Sequence, residues 1–334
     1  RKVQPLRDYS TLTLSEYQEM GKKLDRLSMI VGLLLYLFDY GSDIYVAIQY
    51  WKNNEHWWFG ITIGLIVVPS VIVNITAIIQ LMNIWRSILA VLQLSIVLRY
   101  IEALVSPNPE RVYFLARLRY LETIAESAPQ WCLQVYIMLR QWSFPSYTVV
   151  STTLSLLSLA WSIRTLEKEK NAKNESDFSV CATVVFLIWQ LSTLASRLSA
   201  IVIVLYVFGY YAIFFLAAHW LIVTIAMLII QPKTISCGKS FMLSCLAGYP
   251  SLFHSLETVF PTERPDVEMI VGHTSIVIGN ALSIVSLFLA HEIPDVKNMR
   301  VLKPVVISCI TGGTVLSMIF LIIYYRCVAH DESN

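Results

Sequence analysis

Residues 178–230 read FSVCATVVFLIWQLSTLASRLSAIVIVLYVFGYYAIFFLAAHWLIVTIAMLII, and Arg197 is the one formally charged side chain among these 53. A hydrocarbon core about 30 Å thick is crossed by about 20 apolar residues at 1.5 Å each. The stretch therefore holds two spans, 178–206 and 209–230. Working outward, long apolar runs recur at 27–50, 57–80, 112–140, 146–164, 268–290 and 303–327. The whole chain agrees with its parts: of 334 residues, 56% are hydrophobic and 14% charged, and mean hydropathy is +0.61. Soluble domains carry about 25% charge. A disordered chain, a nucleic-acid binder with a basic face and an ordinary soluble enzyme are excluded.

Two further segments are apolar but short or broken. In 84–104 the clean stretch is Ile88–Leu98, interrupted by Gln93 and flanked by Arg86, Arg99 and Glu102. In 240–260, Gly248 and Pro250 sit at the centre, followed by His254 and Glu257. Such segments read as re-entrant or interfacial helices. The order is then long, long, short, long, long, twice over, which points to an internal repeat. The expected fold is an all-α polytopic membrane protein with eight transmembrane helices plus two re-entrant or partial helices in two pseudo-related halves. Those halves are 27–164 and 178–327, with segments 1–26, 165–177 and 328–334 cytosolic.

Lys and Arg set the orientation. With the N-terminus inside, sixteen basic residues, among them Lys22, Lys23, Arg26, Arg111 and Lys168, fall on the cytosolic side, against five outside (Lys52, Arg140, Lys297, Arg300 and Lys303). This satisfies the positive-inside rule and predicts both termini cytosolic. Trp51, Trp57, Trp58 and Trp142 would form an interfacial belt at the outer ends. The sequon Asn174-Glu175-Ser176 falls inside and is expected to carry no glycan. Residues 1–26 have no apolar core and are not read as a secretory signal; the first apolar helix is expected to direct its own insertion.

Motifs for bond-making chemistry fail. Cys237-Gly238-Lys239-Ser240 imitates the end of a P-loop, but Lys233 stands where its first glycine belongs. The six cysteines show no CxxC or CxxH spacing, so no metal and no cofactor is expected. Juxtamembrane Cys237 and Cys327 are candidates for palmitoylation.

The informative residues are ionisable ones inside spans. Asp39 and Asp43 lie one turn apart on one helix face, Glu122 and Glu126 repeat that spacing, and Arg197 lies deep in the fifth span. Unpaired, each costs roughly 2.5–3.5 kcal/mol at mid-membrane. They must face one another or water, or be partly protonated. Two readings stay open. Asp39 and Asp43 form a structural ion cluster with Arg197, or a polar stripe guides something charged or zwitterionic through the apolar body. Four carboxylates against one arginine favour the stripe and suit a cation, an amine or the positive part of a lipid headgroup. Arg119, three residues before Glu122, is placed to neutralise it along the helix. Pro129 follows Glu126-Ser127-Ala128 and bends its helix, either as a packing kink or to open the stripe to a groove.

These residues also resemble a known family. Arg119-Tyr120-Leu121-Glu122, Glu126-Ser127-Ala128-Pro129-Gln130 and Leu133-Gln134-Val135-Tyr136 resemble the signature helix of the XK-related family. Leu37-Phe38-Asp39-Tyr40-Gly41-Ser42-Asp43-Ile44 resembles its first span. Ser196-Arg197, Phe253-His254-Ser255-Leu256-Glu257 and Tyr324-Tyr325 add support.

The resemblance implies a plasma-membrane protein with eight spans and two re-entrant helices. Some members scramble phospholipids between leaflets during apoptosis and expose phosphatidylserine. It implies for those members activation by caspase trimming of a cytosolic tail, and for some a single-span partner; a homo-oligomer is the alternative assembly. Asp39, Asp43, Glu122, Glu126 and Arg197 would then belong to the lipid path or the network that gates it, with Pro129, Gln130 and Glu257 in secondary places. The chain departs from the family's pattern at His254 (usually Asn) and at Thr258 (usually Gly), and no clear caspase site surrounds Asp331. A scaffold that binds membrane partners without moving lipid, and a carrier of a cationic solute, are the other function classes.

Overall fold

The computed structural model describes residues 14–81, 95–173, 180–230, 237–254, 265–289 and 299–331. Every regular element among them is helical. In chain order these are α1 (Leu14–Lys52), α2 (His56–Leu81), α3 (Ser95–Val105), α4 (Pro109–Ala125), α5 (Ser127–Gln141) and α6 (Ser146–Lys173). There follow α7 (Val180–Phe208), α8 (Ala212–Ile230), α9 (Cys237–Gly248), α10 (Pro265–Leu289) and α11 (Met299–Asp331), with short 3-10 turns at Gly209–Tyr211 and Pro250–Leu252.

Five described stretches are long and apolar enough to cross a membrane: Lys23–Lys52, Ser146–Ala172, Val180–Ile230, Met269–Phe288 and Arg300–Arg326. The fourth predicted segment, 146–164, is longer than expected, because α6 continues to Lys173 and takes in most of 165–177. Asp25 and Lys168 pair between α1 and α6 at that end, holding the two extensions together.

The 51 residues Val180–Ile230 do not form one rod. Gly209 adopts φ 58°, a left-handed conformation that glycine takes without steric cost, and the chain turns there. His219 on α8 consequently returns to within 3.3 Å of Arg197 on α7, 22 residues earlier. In a continuous helix they would stand about 33 Å apart. The chain doubles back.

The predicted span 112–140 is two helices. α4 ends at Ala125, Glu126 takes φ −106° and ψ −67°, and α5 begins at Ser127. The distortion falls three residues before Pro129, where the proline ring meets the preceding turn and withholds a donor from it. Helix α3, with 11 residues, and α9, with 12, are each shorter than a bilayer core demands. Of the two segments read as re-entrant, 84–94 and 255–260 lie outside the described residues.

Helix α6 sits centrally, packed on α1, α4, α5 and α7, while α11 lies along α7 as the most extensive helix pair. The largest apolar core joins α4, α5, α6, α7 and α11 around Phe186, Trp189, Leu194 and Tyr324. Much of α8 turns Ile213, Phe214, Phe215, Ile222 and Ile229 outward, as a lipid-facing helix does. Trp51, Trp57 and Trp142 are exposed at helix ends, with Trp51 edge-on to Phe59 at 5.0 Å and Trp142 near Phe144 at 5.9 Å.

Candidate functional site: a polar seam inside apolar helices

The seam is built from four helices that each present one polar face inward, and from the break between two of them. Helix α1 supplies Asp39 and Asp43, α4 supplies Arg119 and Glu122, the break supplies Glu126, and α5 supplies Ser127, Gln130 and Gln134. Helix α6 completes it with Ser151, Ser155, Ser158 and Ser162, all buried. Their spacing of four, three and four residues puts them on one stripe of a 3.6-residue helix.

Asp39 accepts from Ser155 at 2.7 Å through Oδ1 and from Ser127 at 2.8 Å through Oδ2. Asp43 Oδ1 accepts from Ser151 Oγ at 2.6 Å and Gln134 Nε2 at 2.8 Å. Arg119 pairs with Glu122, as their spacing predicts, donates to Ser158, and lies 3.8 Å from Asp39 Oδ2. Its guanidinium also stands 4.7 Å over the Tyr36 ring. The chemistry is thus hydroxyl and amide donors, with one guanidinium, arranged around four carboxylates.

Arg197 occupies a different setting. Its Nε donates to the Leu252 carbonyl at 2.7 Å and its Nη2 reaches His219 Nε2 at 3.3 Å. Gly279 leaves room for it, since a Cβ there would collide with the guanidinium. No described carboxylate pairs with Arg197, so the ion cluster of Asp39 and Asp43 with this arginine is not formed; Arg119 takes that place. Beside Arg197, Asn280 Nδ2 donates to Ser196 at 3.4 Å and Thr314 at 3.0 Å, and Thr193 bonds Ser317 at 2.6 Å. A second, uncharged polar ladder therefore ties α7 to α10 and α11.

The two regions touch through His254. Tyr120 on α4 and His254 Nε2 lie 2.7 Å apart, with the rings edge-on. Tyr249 donates to the Ile124 carbonyl at 3.4 Å. Pro129 and Gln130 lie on α5, Gln130 fully buried, and Glu257 lies outside the described residues.

Sequence reasoning from charge missed the serine stripe and Gln134, while Gln130 entered only in a secondary place through the family resemblance. The signal was present in Ser151-Thr152-Thr153-Leu154-Ser155-Leu156-Leu157-Ser158, whose helical period is visible once small hydroxyls count as polar. Ser155→Ala removes one of the donors on Asp39 and is expected to cost about 1–3 kcal/mol. Thr153→Ala, where an exposed hydroxyl merely bonds back to the Val149 carbonyl, should stay within about 0.5 kcal/mol. Melting temperatures in detergent check the pair, and equal shifts would argue against a role for the Asp39 contact.

With this geometry in place, the comparison with known proteins is direct. The chain matches the XK-related protein family over residues 27–330 and belongs to that family, one of multi-pass membrane proteins. Among individual relatives it is similar to an XK-related protein 8 from Tetraodon nigroviridis, 26% identical over 236 residues, which is 60% of this chain and 58% of that protein. An XK-related protein 8 from Gasterosteus aculeatus is 25% identical over 237 residues, 59% of this chain and 57% of the relative. The matches thus span a little over half the length of these relatives.

Proposed function

We propose that the protein is a phospholipid scramblase that lets lipids, phosphatidylserine included, pass between plasma-membrane leaflets without ATP during apoptosis. The observation that carries this reading is the buried seam of carboxylates, hydroxyls and amides, enclosed by apolar helices in a member of the XK-related family. A headgroup entering hydrocarbon loses its hydrogen bonds at a cost of several kcal/mol. A continuous row of polar side chains offsets that loss while the acyl tails stay in lipid. In this reading Asp39, Asp43, Glu122, Glu126 and Arg197 line or gate the path, with Pro129 shaping it and Gln130 and Glu257 beside it. The reading carries with it eight spans and two re-entrant helices in two related halves, and cytosolic termini. Membrane phospholipids are the principal partners, joined by a single-span membrane protein or a second copy of the chain. Caspase control would need a cleavage site for which no clear motif is visible here.

One observation favours a second reading. Asp39 is held by Ser127, Ser155 and Arg119, as in a structural brace. A braced protein of this family could serve as a non-scrambling scaffold. Reconstitution in liposomes with fluorescent lipid separates the two. Quenching from outside should remove well over half the signal if lipids exchange, whereas a plateau at half in both full-length and tail-trimmed protein would support the scaffold. Asp39→Asn and Glu126→Gln are expected to change the rate of lipid exchange more than they change expression. If both variants merely fail to fold, the brace explains the seam. Solute flux without lipid flux would instead indicate a carrier for a cation.

A further inference from the structure

The polar stripe of α6 does not stop at the seam. Beyond Ser158 it continues through Ser162 to Thr165, one turn short of the Asp25–Lys168 pair. Along this stretch α6 lines a cavity together with α1, α3 and α4. Arg119 and Ser158 stand at its seam end. Ser28, which accepts from Arg164, stands at the other. The rise of α6 from Ser158 to Thr165 makes the cavity about 10 Å long.

One donor in its wall has nothing to bond. Trp161 Nε1 is buried and meets no acceptor among the described residues. A Cβ on Gly32 would lie 3.3 Å from that nitrogen and 2.9 Å from the Tyr100 hydroxyl. The indole and the phenol thus converge on one place, and glycine at position 32 leaves that place free of a side chain. An indole N–H only donates, so what satisfies it must accept. Ser162, which also lines the cavity, gives its proton to the Leu159 carbonyl and keeps lone pairs for a further donor.

Size and charge select the occupant. The cavity has about 20 Å³ of room for a water-sized sphere. One water needs roughly 10–15 Å³ by that measure and bonds to two to four polar groups, whereas an acyl chain is far larger. No described carboxylate lines the wall and Arg119 does, which disfavours a cation. An anion would meet Glu122 and Asp39 behind that guanidinium. A neutral molecule the size of water fits both limits.

We propose that this cavity is a water site. One or two waters accept the Trp161 indole proton, bond Tyr100 and Ser162, and exchange with solvent at the Lys168 end of the bundle. The site stands on the cavity and not on lipid movement. It places water beside the guanidinium that balances the seam.

The test is deuterium exchange of indole protons in the purified full chain, carrying isotopically labelled tryptophan in detergent and followed by nuclear magnetic resonance. Trp161→Phe and Trp189→Phe identify the two signals by their loss. Trp189 is the internal standard. Its Nε1 is also buried without an acceptor, but its ring sits in the apolar core, 5.3 Å from Phe186 and 5.6 Å from Tyr324. In heavy water the Trp161 proton should exchange roughly tenfold or more faster than that of Trp189, since exchange in the native state follows local access. Gly32→Ala sets a methyl where indole and phenol converge and should slow Trp161 by about tenfold, towards the Trp189 rate. Ala116→Val narrows the same cavity from α4 and serves as the second variant should Gly32→Ala fail to fold. Equal protection of Trp161 and Trp189 in the unaltered chain would overturn the proposal. So would a Trp161 rate that the folded variants leave unchanged, which would assign the exchange to the outer edge of the ring.

Discussion

Arg119→Met is expected to cost about 3–5 kcal/mol, because it strands buried carboxylates that the guanidinium now balances. Three interactions end at once: the pair with Glu122, the bond to Ser158 and the approach to Asp39 at 3.8 Å. The stacking over Tyr36 is lost as well. Against a total stability of about 5–15 kcal/mol, such a loss should appear as a large fall in melting temperature and a broadened elution profile in detergent. The companion variant Arg119→Met/Glu122→Gln should recover part of it, since the neutral amide no longer demands a counter-charge. A single variant that melts within a degree or two of the parent would show that the seam is neutralised by some other means.

Gly313 gives the second large effect. A Cβ at this position would lie 2.9 Å from Ser196 Cβ and 3.0 Å from the Ser192 carbonyl, closer than packed atoms tolerate, and one of those neighbours is backbone. Gly313→Leu must push α11 off α7. Small residues at such a crossing let membrane helices approach, and overpacking costs about 1–3 kcal/mol or more. The bond Thr193–Ser317 lies on this contact and lengthens with it. Gly312, one residue away, has nothing within 4 Å of its Cβ position and faces outward. Gly312→Ala should therefore be neutral or stabilising by about 0.5–1 kcal/mol, through reduced backbone freedom. Opposite signs at adjacent glycines, read as melting temperatures, are the expected result. Equal losses at both would mean that helix propensity, not the close approach, governs this region.

How much of this was legible in the sequence depends on what kind of physics each feature rests on. Helix class followed from uncharged runs such as 209–230, because hydrocarbon leaves the backbone few alternatives. The pairing of Arg119 with Glu122 was legible because it is local, three residues along one helix. The partner of Asp39 was not. Charge offered Arg197 as one of two open readings, yet which helix packs beside α1 is a tertiary matter, and α6 brings serines there instead. The break at Glu126 was anticipated as a kink but placed at Pro129, since a proline's clash acts on the turn before it. The contact of His254 with Tyr120, 134 residues earlier in the chain, was likewise not legible, because it is a tertiary one.

Gly209 carries a consequence for how the protein is made. The run Val180–Ile230 leaves the ribosome as 51 residues that are apolar almost throughout. Its length has room for two passes, but its hydrophobicity marks no boundary between them. The left-handed turn at Gly209 favours two passes, and the return of His219 to Arg197 rewards that choice by giving both polar groups a partner. Parity is at stake. A run that crossed once instead of twice would invert the direction in which α10 and α11 cross. One glycine thus contributes to the sidedness of every residue that follows it.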